Sequence, residues 1–245
     1  MKLEAADLVR GSETPVGDGL TGAMRCILTL PNGVKRAAVV KTGSIGEVTA
    51  ESFCALLLKA WGLDVPDPYI VRWPSGFAFG SADTGYPSLK QRVGISDQIP
   101  PGPIRDAAEK AACALVASFA DTPLALCADE AIGNTDRNLG NILWDGRRVS
   151  WIDHARCLEE GEGYPDRNLL AVMAMLAGKE DSIAKSAVAQ ALALNRTVIL
   201  EASDAAVEAL GHGDPAAFVA KRINTLAARI ISRFPAPADL LSPAP

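Results

Sequence analysis

Apolar and polar positions run in short β-like blocks through the first hundred residues and in longer helical periods after them. Met24 to Leu30 is an apolar, β-prone run. Pro31-Asn32-Gly33 supplies a turn, and Val34 to Lys41 gives a second strand ending in Val39-Val40-Lys41. Gly43-Ser44-Ile45-Gly46 breaks the pattern. From Glu47 to Trp61 the period changes: Phe53, Leu56, Leu57 and Ala60 recur at spacings of three and four, which predicts a helix with one apolar face. Gly62 suits its end, and Val65-Pro66-Asp67-Pro68 bars further helix. Tyr69 to Trp73 and Phe77 to Gly80 read as two more strands around Pro74-Ser75-Gly76. Residues 1–22, with glycines at 11, 17, 19 and 22, read as a loose entry segment.

Ile99-Pro100-Pro101-Gly102-Pro103 is the clearest linker, and the texture changes across it. Helical periods cover Ile104 to Phe119 and Leu124 to Ile132. The stretch from Ile142 to Ile152 reads as a tight hairpin, with apolar β-formers on either side of an Asp145-Gly146 turn. From Asn168 to Phe234 the chain is rich in Ala and Leu and mostly helical, with breaks near Gly178 and Gly211-His212-Gly213. Asp181-Ser182 and Asp214-Pro215 suit helix starts. The last residues, 235–245, hold four prolines and read as a frayed tail. The expected fold class is α+β: a small β-rich unit with one main helix over residues 1–98 and a larger helical unit over residues 99–245.

Composition narrows the function. At 245 residues the chain can form one large domain or two lobes with a sizeable core. A net charge of −5 argues against non-specific nucleic-acid or anionic-membrane binding. No apolar run reaches about 18 residues, so no transmembrane helix is expected. Met1-Lys2-Leu3-Glu4 lacks the apolar core of a signal peptide, and the cytoplasm is the expected compartment. Cys26, Cys54, Cys113, Cys127 and Cys157 are odd in number and widely spaced, which predicts buried thiols rather than a disulfide framework or a zinc site. The only histidines, His154 and His212, leave little material for a His-based metal centre or a Ser-His-Asp hydrolase.

The candidate chemistry lies around the hairpin. In Asn134-Thr135-Asp136-Arg137-Asn138-Leu139-Gly140-Asn141, Asp136 precedes Asn141 by five positions, and Asp153 follows Asn141 by twelve. A lone Asp or Asn is by default a turn residue; three in this order around a hairpin match a phosphotransferase site. There one carboxylate, Asp136, orients the acceptor hydroxyl, while Asn141 and Asp153 hold Mg²⁺ on the ATP phosphates. Their oxygen donors suit that ion. Lys41 closes a strand, and Glu51 lies ten residues later on the helix, an arrangement that aims an ammonium at the phosphates. Glu47 is a rival partner, and Lys35 a weaker rival lysine. Ser44 sits between them at a helix N-terminus, where backbone N–H groups bind phosphate, and is a further candidate nucleotide-binding residue. Gly17-Asp18-Gly19-Leu20-Thr21-Gly22 fits Gly-x-Gly-x-x-Gly by letter only, without a clear strand before it and helix after it. Arg137 either neutralises phosphate charge or holds the loop. Asn138 reads as structural, and His154 as a packed histidine.

The run from Asn134 to Trp144, with Trp151-Ile152-Asp153-His154-Ala155, resembles the HipA-like kinases, especially their short single-domain bacterial and phage relatives. More distantly it resembles phosphoinositide-3-kinase-like enzymes, which also place Asp-Arg before the Asn. Val39-Val40-Lys41, the Glu51 helix, Trp61 to Pro68 and Phe77-Ala78-Phe79-Gly80-Ser81 are similar to that group's N-terminal lobe, so the resemblance spans residues 35–160. It implies a bilobal protein-kinase-like fold, ATP and Mg²⁺, and phosphorylation of a protein serine or threonine. In HipA-type toxins a serine of the phosphate loop can be autophosphorylated, and Ser44 is the matching position. Full-length HipA proteins are much longer, so an N-terminal subdomain is expected to be absent here, and the chain reads Asp-His-Ala where protein kinases read Asp-Phe-Gly. Two other readings stand beside it. One is a small-molecule kinase of the same fold, in which Glu159, Glu160, Glu162 and Asp166 would receive a cationic substrate. The other is a nucleotide-binding pseudokinase scaffold, against which the full set Lys41, Asp136, Asn141 and Asp153 counts.

Overall fold

Two strands, β1 (Glu4–Leu8) and β2 (Thr14–Pro15), lie in the entry segment expected to be loose. Little in Glu4-Ala5-Ala6-Asp7-Leu8 marks a strand locally. Its backbone groups are satisfied from a distance: β1 runs parallel to β5 (Pro68–Trp73), from Glu4↔Tyr69 to Asp7↔Arg72, and antiparallel to β3 (Met24–Thr29) at Asp7↔Thr29 and Leu8↔Leu28. The alternation elsewhere becomes strand as expected. β3 pairs with β4 (Lys35–Lys41), β4 with β6 (Gly76–Ala82) and β6 with β5, all antiparallel. The β1–β3 pairing closes these five strands into a ring, with β2 appended to β3. Closure removes the free edges that invite aggregation. Ala6, Cys26, Leu28, Ala38, Val40, Tyr69, Val71 and Ala78 fill the inside. The space there is tight: a Cβ on Gly80 of β6 would stand 2.8 Å from Val71 Cγ2. The computed structural model describes residues 1–16, 22–74, 76–95, 100–161 and 163–235. Gly17 to Thr21 of the glycine motif, Ile99 of the linker and the 235–245 tail beyond Pro235 lie outside them, as does the boundary expected at residues 98–99.

The predicted helix is α1 (Ile45–Ala60). Ser44 caps it: its Oγ accepts from Glu47 N–H at 3.2 Å, and Glu47 Oε2 accepts from Ser44 N–H at 2.6 Å, a reciprocal capping box. The expectation of one apolar face is corrected. Every residue from Val48 to Leu58 is buried, and Ala60 is exposed. A helix buried all round lies inside the core rather than on it, and α1 packs against β5 and β6 as well as α7 and α8. Its buried hydroxyls are satisfied within the helix, Thr49 Oγ1 by the Ile45 carbonyl at 2.8 Å and Ser52 Oγ by the Val48 carbonyl at 2.7 Å.

After the short α2 (Leu89–Arg92) come α3 (Pro103–Ser118) and α4 (Thr122–Ile132). The hairpin is β7 (Ile142–Trp144) and β8 (Val149–Trp151), with Ile142 opposite Trp151. Asp145 Oδ1 shapes its turn by accepting from the N–H groups of Arg147 and Arg148 at 2.6 and 2.7 Å. The rest is α5 (Leu169–Leu176), α6 (Glu180–Ala193), α7 (Thr197–Leu210), α8 (Pro215–Ile223) and α9 (Leu226–Ser232). Asp214 caps α8 as expected. Asp181 falls inside the first turn of α6, after Lys179 and Glu180, and does not cap it. Further breaks separate α6 from α7 and α8 from α9. One apolar core joins α1, the faces of β5 and β6 that carry Ile70 and Phe79, the hairpin and the helices α3 to α9. The five cysteines are buried free thiols. Among the described residues no single helix is long and apolar enough to cross a membrane.

Candidate active site

Lys41, at the end of β4, meets two carboxylates. Its Nζ lies 2.8 Å from Glu51 Oε1 and 2.8 Å from Asp153 Oδ1. The ten-residue offset works because α1 turns Glu51 back under the strand that carries Lys41. Glu47, the rival, is committed to the helix cap. Glu51 is 2% exposed, and its second oxygen accepts from the His154 backbone N–H at 2.8 Å. This carboxylate therefore joins β4, α1 and the segment after the hairpin. Burial opposes the charge on both partners. Lys41 and the hydrogen bond from His154 overcome that opposition and hold Glu51 well below the carboxylate range. Glu51 and Asp153 likewise hold Lys41 above its ordinary value.

That depression sets an expected acid response. A carboxyl whose pKa is lowered by folding contributes stability that is complete above its unfolded value of about 4.3 and is lost as pH falls towards the folded value. Stability should therefore hold down to about pH 4.3 and then decline. Glu51→Gln should decline less steeply below that pH in urea melts followed by circular dichroism. An unchanged slope would show that Glu51 is not held ionised by Lys41.

The loop before the hairpin is held from behind. Asn134 Oδ1 accepts from Asp136 N–H at 3.0 Å. Asn138 Oδ1 accepts from Gly140 N–H at 2.8 Å, and Asn138 Nδ2 donates to the Asp136 carbonyl at 3.2 Å, so Asn138 is structural as read. Asn141 Nδ2 donates to the same carbonyl at 2.8 Å. This commits the amide nitrogen to the loop and leaves the carbonyl oxygen for a cation. Ile152 N–H donates to the Asn141 carbonyl at 3.2 Å, so the hairpin brings the chain at Asp153 back beside Asn141. Asp153 has a left-handed backbone, φ +68°, an uncommon conformation that Asp and Asn tolerate better than other side chains.

Arg137 does not reach for phosphate. It is 1% exposed, lies 5.7 Å from the Trp151 ring centre and holds the loop, the second of its two readings. His154 is also 1% exposed, with Nδ1 3.5 Å from Glu51 Oε2, which fits a packed histidine. Ser44 is exposed at the start of α1, and its hydroxyl serves the cap. Among the described residues no three or more His, Cys, Asp or Glu side chains form a metal-binding group. A cation here would rest on Asn141 and Asp153, a set of hard oxygen donors that suits Mg²⁺. Lys41 shows that the Asp153 carboxylate receives positive charge.

Of the four acidic residues read as a pocket for a cationic substrate, Glu160 and Asp166 are engaged in ion pairs. Glu160 pairs with Lys221 and Arg222, and Asp166 with Arg233. They line a cavity of about 330 Å³ beside Asn134 and Thr135, together with Arg167 and Arg229. At its base Glu130, 2% exposed, accepts from Arg222 Nη2 at 3.1 Å, Arg229 Nε at 3.0 Å and Arg233 Nε at 2.9 Å. Glu162 lies outside the described residues. Sequence reasoning also passed over Asp129, the residue next to Glu130 and 1% exposed. An adjacent acidic pair on an otherwise apolar helical period was the one available signal.

No protein-family model matches the chain, and no curated protein matches it in sequence. Solved structures do match in shape. One is the proinflammatory kinase CtkA of Helicobacter pylori, with a TM-score of 0.56 at 12% identity over 93% of this chain and 96% of that one. Another is HipA from the HipA, HipB and operator DNA complex of Shewanella oneidensis MR-1, with a TM-score of 0.53 at 16% identity over 91% of this chain. The match spans 65% of that HipA chain, just under two thirds. The chain therefore has the fold of HipA-like kinases, as the catalytic-loop motif implied.

Proposed function

We propose that this protein is an ATP- and Mg²⁺-dependent phosphotransferase acting on a serine or threonine of another protein. The kinase-like fold supports the reaction class. The observation that carries the reading is the double engagement of Lys41, at 2.8 Å from both Glu51 and Asp153. An ammonium fixed between a helix carboxylate and a metal-ligand candidate is placed to receive nucleotide phosphates. In this reading the strand ring with α1 and the helical part form two lobes that meet at Lys41. Ser44 and the α1 N-terminus flank the phosphates. Asn141 and Asp153 hold Mg²⁺, which when bound neutralises charge on the phosphates, and the Asp136 carboxylate orients the acceptor hydroxyl and receives its proton. ATP and a protein acceptor are the partners, and the cytoplasm is the compartment. The ion pairs of Glu160 and Asp166 weigh against a cationic small-molecule acceptor, since those charges are already met.

The test is transfer of the γ-phosphate of labelled ATP to proteins of a cell lysate, with mass spectrometry of the products. Lys41→Met should raise the ATP requirement and slow transfer, and Glu51→Ala should reproduce part of that loss. In a double-mutant cycle the two residues should couple by about 0.5–3 kcal/mol, as expected for groups in contact. A coupling near zero would separate them. A wild-type protein that binds Mg-ATP but transfers nothing would be a scaffold.

A further inference from the structure

The Asp129 carboxylate, on the last turn of α4, accepts three side-chain hydrogen bonds. Arg137 Nε donates to Oδ2 at 3.0 Å, Arg137 Nη2 to Oδ1 at 2.9 Å, and Asn134 Nδ2 to Oδ1 at 2.9 Å. Each donor then holds a different part of the site. Asn134 receives the Asp136 backbone N–H through its own Oδ1. Arg137 Nη1 donates to the Asn141 carbonyl at 3.1 Å and also to the carbonyl of Ile152, the residue before Asp153. One buried carboxylate therefore stands behind Asp136, Asn141 and Asp153, which lie on two separate stretches of chain.

We propose that Asp129 is the positioning residue of this site, fixing Asp136 through Asn134, and Asn141 and Asp153 through Arg137. The proposal rests on the phosphotransferase reading for the roles of those three residues, and on the geometry alone for the linkage. The guanidinium fork is planar and captured at two points, so it cannot swing while Asp129 holds it. The Trp151 ring beside it and the burial of both partners, each 1% exposed, keep water from replacing either bond. Because Arg137 bonds the two carbonyls from one nitrogen, it sets the separation of the loop and the end of the hairpin. A shift of about 1 Å in such a constellation can cost about 10²-fold in rate.

A strut that served stability alone would behave differently. Replacing a buried ion pair by apolar residues of similar size is often neutral for stability, so the Asp129→Leu/Arg137→Met double variant separates the two roles. It should fold, with kcat lowered by about 10²-fold and a higher Mg²⁺ concentration needed for half-maximal activity. Amide hydrogen exchange at Asp136, Asn141 and Ile152 should quicken, while α1 stays protected. The exchange measurement needs no activity. If the wild type transfers no phosphate, the functional reading falls, and the exchange rates alone decide the positioning role. Asp129→Asn is the second variant should the double one fail to fold; it keeps one acceptor oxygen and loses the charged two-point capture. It should show the same pattern to a smaller degree. A folded variant of either kind with wild-type exchange at those amides, or with wild-type kcat where the parent is active, overturns the proposal.

Discussion

Asp153→Asn should reduce phosphotransfer by about 10³-fold or more, because a metal-held phosphate charge is worth several kcal/mol in the transition state and each 1.4 kcal/mol is about tenfold. Asn is the informative replacement. It matches Asp in size and accepts the φ of +68° found there, so the variant loses a charge without gaining backbone strain. Alanine would confound the two. The loss also frees one of the two partners of Lys41, leaving Glu51 as its sole carboxylate of the pair. Asn141→Ala should be milder, since water can replace one neutral oxygen ligand. Rates measured across a Mg²⁺ titration, with the fold checked by circular dichroism, decide the matter. Full turnover by Asp153→Asn would remove it as a metal ligand.

Asp136→Asn should lower turnover by roughly 10²- to 10⁴-fold, the usual contribution of a positioned acid–base group, while nucleotide affinity stays near that of the parent. The structure explains why the two effects should part. The backbone of Asp136 is held on both sides, its N–H by Asn134 and its carbonyl by Asn138 and Asn141. Among the described residues its carboxylate makes only a 3.4 Å contact with Asn138 Nδ2. The side chain can therefore change without releasing the loop. Single-turnover rates compared with calorimetric ATP binding are the check. An equal loss of rate and binding would make Asp136 a structural or metal-holding residue.

Features fixed by neighbours in the chain were legible in the sequence. Asp145-Gly146 marked the hairpin turn, and the spacing of Lys41 and Glu51 suited a strand leading into a helix. Features fixed by distant partners were not. β1 gains its hydrogen bonds from residues about twenty and sixty-five positions away. The all-round burial of α1 depends on α7, which begins at Thr197. Asp129 and Glu130 look like ordinary polar positions of a helix. Each is buried because arginines elsewhere come to it: Arg137 to the first, and Arg222, Arg229 and Arg233 to the second. The acids at 160 and 166 were visible as charges, but their cations lie more than fifty residues on. Charge can be read from a sequence, whereas pairing needs the fold.

The all-round burial of α1 bears on how such a chain can be divided and recombined. By sequence the helix belongs to the first hundred residues. By contact it belongs equally to the last fifty, since α7 and α8 cover the side that the strands leave open, and Trp61 just past its end donates from Nε1 to the Asn195 carbonyl at 3.0 Å, just before α7. A cut in the proline-rich stretch near residue 100 would leave the strand ring carrying a helix with a bare apolar flank, and the helical part missing the wall that flank supplies. The packing unit to move in a chimaera is then not the strand-rich segment alone. It includes the pair α1 and α7, two helices distant in sequence that have to be kept together for either to be covered.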